Sequence, residues 1–217
     1  MNLEKIKTAN TKYLGKEIIY KEEMDSTQDL AKDIAKKEFE NGTLILADKQ
    51  NRGRGTQGRS WVASKENNIT MTILLKKDWE IADLEGFTLK IAEAIQKAIK
   101  ELYSYALTIK KPNDLLLNGK KICGILTESS VIKQKVNYVL IGIGFNVNEE
   151  IFEGELRRDS NITKKRVEKN ISKRRNYSKN TRTFRKSNRI LRKTKIEVLF
   201  GSSIFCDQKY SRGAIFS

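Results

Sequence analysis

The sequence contains no histidine, and that absence excludes more chemistry than any other feature of its composition. Without an imidazole there is no Ser-His or Cys-His nucleophile pair, and the commonest transition-metal ligand is gone. Cysteine is scarce as well: Cys123 and Cys206 stand alone, in no CxxC spacing, and supply neither a disulfide framework nor a zinc site. No protein-held metal is expected, and any chemistry must run on Lys, Arg, carboxylates and backbone dipoles. Long apolar runs are missing too. Nothing approaches the roughly 18 consecutive apolar residues of a membrane span, and the first residues, MNLEKIKTAN, lack the apolar core of a signal peptide. A cytoplasmic protein without membrane attachment is the expectation. Proline occurs once, so no Pro-rich linker divides the chain, and no internal repeat is visible.

What is present is unevenly distributed. The formal charge of +16 looks like a nucleic-acid signature until it is divided along the chain. Residues 1–156 hold 24 Lys and Arg against 23 Asp and Glu, whereas 157–217 hold 19 against 4. Apolar periodicity stops at the same place, so a globular domain over 1–156 and a basic, disordered tail over 157–217 are expected.

Within 1–156 the signals alternate between strand and helix. Glu17–Met24 reads as a strand; Ser26 follows as an N-cap, with Asp29 three positions on and helical spacing of Leu30, Ile34 and Ala35. Thr43–Ala47 and Ile69–Leu75 are β-rich runs that flank a Gly- and Arg-rich loop. Phe87, Ile91, Ile95, Ala98, Ile99 and Leu102 recur at three- and four-residue steps, which predicts an amphipathic helix over Asp83–Tyr103 covering one face of a sheet. Strands at Leu107–Lys110, Leu115–Leu117, Ile122–Glu128 and Tyr138–Ile143 complete the pattern, with a hairpin at Asn118-Gly119. The fold class is α+β, helices on a mixed, largely antiparallel sheet.

Three segments carry chemistry. NRGRGTQGRSW (Asn51–Trp61) places glycine at 53, 55 and 58 and arginine at 52, 54 and 59. Glycines let backbone N–H groups approach an anion, and arginines supply forked donors. The same residues also suit a solvated basic loop or an RNA-binding RGG-like stretch, while a P-loop is excluded by the missing GxxxxGK[ST]. KPNDLLLNGKKICGILTE (Lys110–Glu128) sets Asn113 and Asp114 before one strand and Lys121 at the start of the next. A lysine fixed there can hold its charge against a carboxylate or phosphate, although a lone strand lysine more often faces solvent. IGIGFNVN (Ile141–Asn148) is an apolar strand ending in amides; it is no dinucleotide fingerprint, since no helix pattern follows it.

In this order, DSTQD at 25–29, Gln50 with GRGTQGRSW at 53–61, KPND with GKKICGILTE, and IGIGFNVN resemble the catalytic domain of biotin–protein ligases over residues 17–156. Lipoate–protein ligases share the fold and an Asn-Asp-Leu segment, but the GRGxxGR loop favours biotin. The resemblance implies biotin, ATP and Mg2+ as reactants, biotinyl-5′-AMP as intermediate, and a lysine of a carboxylase's biotin carboxyl carrier domain as acceptor. It places Ser26, Thr27, Gln28 and Gln50 at the biotin ring, Lys121 at the activated carboxyl, and Arg54, Gly55 and Thr56 on the loop that closes over the intermediate. Gly53, Arg59, Trp61, Asn113 and Asn146 fall on the ATP side, and Lys121 and Arg54 are the expected catalytic pair. Two residues depart from the family pattern: Lys111 stands where Trp is usual, and Gln28 where Asn is more familiar. A strand beginning at residue 17 leaves no room for a helix-turn-helix before it, so no specific DNA binding is expected; a homodimer is compatible with the resemblance.

The tail departs altogether. The family continues with an EIATSL-like helix, a helix ending in aromatic residues, and a small β-barrel domain, whereas this chain reads RRDSNIT at 157–163. Plausible codons for Arg158–Thr163, read one base later, give EIATS, and TRTFRKSNRIL at 181–191 similarly yields QEHLEKVIEY. The segment from about residue 157 is therefore expected to be a frameshifted translation, a polyanion-binding tail being the alternative.

Overall fold

The computed structural model describes residues 14–62, 68–76 and 78–146. The basic tail over 157–217, with its reading-frame hypothesis, lies outside these residues, as do Val147 and Asn148.

Eight strands form one sheet. In chain order the elements are β1 (Ile18–Met24), α1 (Thr27–Ile34), β2 (Thr43–Gln50), a 3-10 turn at Thr56–Gly58, β3 (Asn68–Leu75), β4 (Trp79–Glu80), α2 (Phe87–Tyr103), β5 (Thr108–Lys110), β6 (Asp114–Leu117), β7 (Lys120–Ile132) and β8 (Lys135–Asn146). The sheet order is β1-β2-β3-β8-β7-β6-β5, with β4 paired to the outer part of β8. β1 and β2 run parallel, and every other pairing is antiparallel. A parallel pair needs a crossover, and α1 supplies it.

Period-two alternation along the central strands separates two cores. Leu44, Leu46, Ile73, Ile141 and Ile143 face α2, packing against Phe87, Ile91, Ile95 and Ile99. Ile45, Leu74 and Leu140 point the other way, onto Ala31 and Ala35 of α1. Each large aliphatic side chain so buried contributes about 1.5–3 kcal/mol. α1 is short and begins close to β2, so it covers only part of its face; the uncovered part holds the cleft described below.

The helix expected to start at Asp83 starts instead at Phe87. Ile81–Leu84 forms a separate 3-10 turn, and Gly86 at φ 67° breaks the helical path between the two. The Asn118-Gly119 hairpin is present, with positive φ at both residues (52° and 77°), as a tight two-residue turn requires. β7 and β8 run further than expected, to Ile132 and from Lys135, and the turn between them places Lys133 and Gln134 at φ 48° and 66°.

Candidate active site

The cleft begins at the N-terminus of α1. Ser26 is the N-cap, its Oγ accepting from the Asp29 N–H at 3.3 Å. The helix thus starts with Thr27 and Gln28, which are buried against the sheet with 4% and 3% exposure. Gln50, the last residue of β2, reaches across to them: its Oε1 accepts from Thr27 N–H at 2.7 Å and from Thr27 Oγ1 at 3.0 Å. One strand further in, Thr72 Oγ1 lies 3.0 Å from both Thr27 Oγ1 and Gln28 Oε1.

The floor is glycine. Gly142 and Gly144 of β8 pair with Thr72 and Thr70 of β3, and Gly144 also pairs with Gly124 of β7. A Cβ at Gly142 would stand 2.7 Å from Gln28 Oε1, one at Gly124 would stand 2.8 Å from Trp61 Cζ3, and one at Gly144 would overlap the Trp61 indole. Side-chain atoms therefore rest directly on backbone at these three positions.

The arginine-glycine segment forms the opposite wall, folded back on itself rather than splayed. Trp61 N–H donates to Gly53 O at 2.8 Å, Gly55 N–H to Arg59 O at 2.7 Å, and Arg54 and Ser60 form a β-bridge. Gln57 and Gly58 turn the tip with positive φ. Gly53 has no room for a side chain because Trp61 O and Gln50 Nε2 crowd the position. This miniature hairpin brings the Trp61 indole back over Gly124 and Gly144, where its Nε1 is buried without a hydrogen-bond partner among the described residues.

Arg52, Arg54 and Lys121 are held by carboxylates. Arg54 donates to Asp29 Oδ1 at 2.8 Å and to Glu128 Oε1 at 2.9 Å, and the hydrogen bond it gives to Asp29 raises its already high pKa further. Arg52 is paired with Asp25. Arg59 turns onto its own loop, bonding Thr56 O at 3.1 Å and Thr56 Oγ1 at 2.8 Å. Lys121 Nζ lies 2.8 Å from Asp114 Oδ1 and 5.5 Å from the centroid of the Trp61 ring. Asn113 closes the far end, its Nδ2 donating to Ile125 O at 3.2 Å.

Ser26, Thr27, Gln28, Gln50, Arg54, Gly55, Thr56 and Lys121, the residues expected around biotin, line this single cleft of about 590 Å³. From the ATP side, Arg59, Trp61 and Asn113 line it too. Gly53 and Asn146 do not: Gly53 lies beneath Trp61, and Asn146 is tied by Nδ2 to Lys121 O at 3.4 Å. The sequence assigned no role to the carboxylates Asp29, Asp114 and Glu128, nor to Thr72 and the glycine floor. Glu128 had a readable signal, an acid two residues past Leu126 at the end of the apolar run Ile122–Leu126; the partners of Asp29 and Asp114 did not. Among the described residues no three His, Cys, Asp or Glu side chains cluster to hold a metal ion.

A glycine-floored sheet whose cleft gathers polar side chains from α1 and β2 with the carboxylate-held cations Arg54 and Lys121 defines an α+β domain with one open, polar site. The chain belongs to the biotin/lipoate A/B protein ligase family, whose model matches residues 20–146. It is 39% identical over 140 residues to the bifunctional ligase/repressor BirA of Bacillus subtilis, a match covering 64% of this chain and 43% of that protein. It is 38% identical over 105 residues to the biotin–[acetyl-CoA-carboxylase] ligase of Paracoccus denitrificans, covering 48% and 43% of the two chains. Among solved structures, the biotin protein ligase of Aquifex aeolicus in complex with biotin and ATP superposes with a TM-score of 0.53 at 31% identity, covering 65% of this chain and 57% of that one. The Leishmania major biotin protein ligase in complex with biotinyl-5-AMP gives 0.54 at 28% identity, covering 65% and 61%. The chain thus spans less than half the length of these two curated relatives.

Proposed function

We propose that this chain carries the catalytic part of an ATP-dependent biotin–protein ligase, which joins biotin to AMP and passes it to a lysine on the carrier domain of a biotin-dependent carboxylase. The observation that carries the reading is the convergence in one cleft of Gln28, Thr27 and Gln50 at one end and Lys121 and Arg54 along it. The relatives' names, biotin–[acetyl-CoA-carboxylase] ligase and biotin protein ligase, support biotin over lipoate.

In the first step a biotin carboxylate oxygen attacks the α-phosphorus of ATP, a new P–O bond forms, the bond to the bridging oxygen breaks, and pyrophosphate leaves. Two anions must meet, so the site's contribution is positive charge fixed beforehand. A charge pair 4 Å apart is worth about 4 kcal/mol at an effective dielectric near 20. Lys121, anchored by Asp114, supplies such a charge at the carboxyl, and Arg54 supplies a second on the closing wall. In the second step the neutral acceptor amine attacks the acyl carbon, AMP departs, and the amine's proton goes to solvent. No three His, Cys, Asp or Glu side chains cluster among the described residues, so magnesium would enter as part of the ATP substrate. We place the reaction in the cytoplasm, where ATP and carboxylase carrier domains are available.

The RNA-binding alternative is carried by no observation of its own: the loop folds back over the cleft, and the basic tail lies outside the described residues. ATP-dependent incorporation of labelled biotin into a carrier domain by the full 217-residue chain tests the proposal. Weak labelling of the carrier lysine is expected, because the chain departs from the family pattern after residue 156; a folded chain with no measurable affinity for biotin by titration calorimetry would remove the proposal.

A further inference from the structure

We propose that Glu128 is the positioning residue that sets the polarity of the ring-binding end of the cleft, making it select a ligand that offers N–H donors. The inference rests on the biotin reading above and adds to it a residue to which that reading gives no role.

Glu128 sits on β7 opposite Leu140, two residues beyond Leu126, which lines the cleft. Each of its oxygens takes one donor: Oε2 from Gln28 Nε2 at 2.9 Å, and Oε1 from Arg54 at 2.9 Å. A carboxylate only accepts, so it serves both donors at once. This fixes the Gln28 amide in one sense, with Nε2 on Glu128 and Oε1 turned to Thr72 and over the bare backbone of Gly142. Thr72 has one hydroxyl proton for two neighbours at 3.0 Å, Gln28 Oε1 and Thr27 Oγ1. Thr27 in turn spends its own proton on Gln50 Oε1. The row therefore carries more acceptors than protons. A ureido ring brings N–H groups, and those are what such a row lacks. The same carboxylate ties Arg54 down, so the orientation of the amide and the position of the loop wall are coupled through one side chain.

Glu128→Gln keeps the shape and removes this property. A carboxamide has one acceptor and one donor end, so it must set its NH2 against either Gln28 Nε2 or Arg54. The cheapest relief is to turn Gln28 over, which points an N–H2 at Thr72 and at the ligand's own donors. Exchanging the pair, Gln28→Glu with Glu128→Gln, leaves net charge unchanged, gives Arg54 an acceptor and restores an acceptor facing Thr72.

Biotin and ATP are titrated calorimetrically into the full chain and each variant, with thermal melts alongside. Glu128→Gln is expected to weaken biotin binding at least tenfold, as for loss of a charged hydrogen bond, with ATP affinity within about twofold, and the exchanged pair to recover most of the loss. Unchanged biotin affinity in Glu128→Gln, parallel losses of biotin and ATP that follow a lowered melting temperature, or an exchanged pair no better than the single variant would each overturn the inference. If Glu128→Gln does not fold, the exchanged pair is compared with the unmodified chain: biotin affinity within tenfold supports the inference, and its loss overturns it. An unmodified chain that binds no biotin removes the functional reading and this inference together, whereas binding there with an unaffected Glu128→Gln removes the inference alone.

Discussion

Replacing Lys121 by methionine separates charge from packing at the centre of the cleft. The lysine stem lies on the glycine floor, its Cε only 3.2 Å from where a Cβ on Gly124 would be, and methionine fills that space. What is lost is the ammonium 2.8 Å from Asp114, in a pair whose side chains are 27% and 12% exposed. An exposed ion pair contributes up to about 1 kcal/mol and breaking a fully buried one costs about 3–5 kcal/mol, so for this partly buried pair about 1–2 kcal/mol of stability should go. That corresponds to a fall in Tm of roughly 2–8 °C and leaves nearly all molecules folded if total stability is a typical 5–15 kcal/mol. The chemical step loses more. Removing one preorganised group from a site of developing charge costs about 10²–10³ in rate. Single-turnover release of pyrophosphate at saturating biotin and ATP, with the folded fraction followed by circular dichroism, measures both effects. Asp114→Asn keeps the cation and removes only its anchor, so its rate should fall less. A folded Lys121→Met chain that forms the adenylate within threefold of the unmodified rate would refute the assignment.

Other perturbations read different parts of the same structure. Gly144→Ala places a methyl into the Trp61 indole, so the ring must lift from the floor; a loss of about 1–3 kcal/mol in stability, weaker biotin binding and greater quenching of tryptophan fluorescence by acrylamide are expected. Trp79 is buried with 5% exposure, so the added quenching reports Trp61, and unchanged quenching would count against the packing described. Tyr20 donates to Asp48 Oδ2 at 2.6 Å, and that hydrogen bond, with burial and the carboxylate's charge, pushes its pKa from 10.0 up to about 12. Because the folded value is the higher one, the stabilisation is complete below pH 10 and disappears as pH rises towards 12. Denaturant midpoints should fall across that window for the unmodified chain and more shallowly for Tyr20→Phe; parallel slopes would refute the pairing. Burial raises the Cys123 thiol well above its ordinary value, so in a Cys206→Ser background it should resist iodoacetamide at pH 8 until the domain unfolds. Fast modification of the native protein would contradict its placement.

The parts of this fold that were legible in the sequence are those where one residue type answers one local demand. Asn118-Gly119 announces a two-residue hairpin because both positions require positive φ, and the structure places both there. Lys133 and Gln134 take the same left-handed conformation without any such signal, which is why the full length of β7 and β8 was not visible. The parallel pairing of β1 with β2 was likewise silent, since alternation records which face a residue occupies and not its partner. Gly86 could have been read as the break before α2, but the apolar spacing that continues on either side of it favoured one longer helix.

The site divides along the same line. Its arginines and Lys121 stood out by composition, yet the groups that hold them are distant in sequence: Asp29 lies 25 positions and Glu128 lies 74 positions from Arg54. The floor depends on register more than on any single residue. Thr72 against Gly142 and Thr70 against Gly144 and Gly124 put small or hydroxyl-bearing residues side by side on three strands. A slip of one residue would replace them with Met71, Ile73 and Ile143 and fill the cleft with core. The apolar half of the alternation, packed on α2, therefore defends the binding surface: each isoleucine buried on one side fixes a threonine or glycine on the other. On this argument, polar substitutions at Ile73 or Ile141 should weaken ligand binding only together with stability, whereas changes at Gly144 or Glu128 should affect binding beyond any loss of stability.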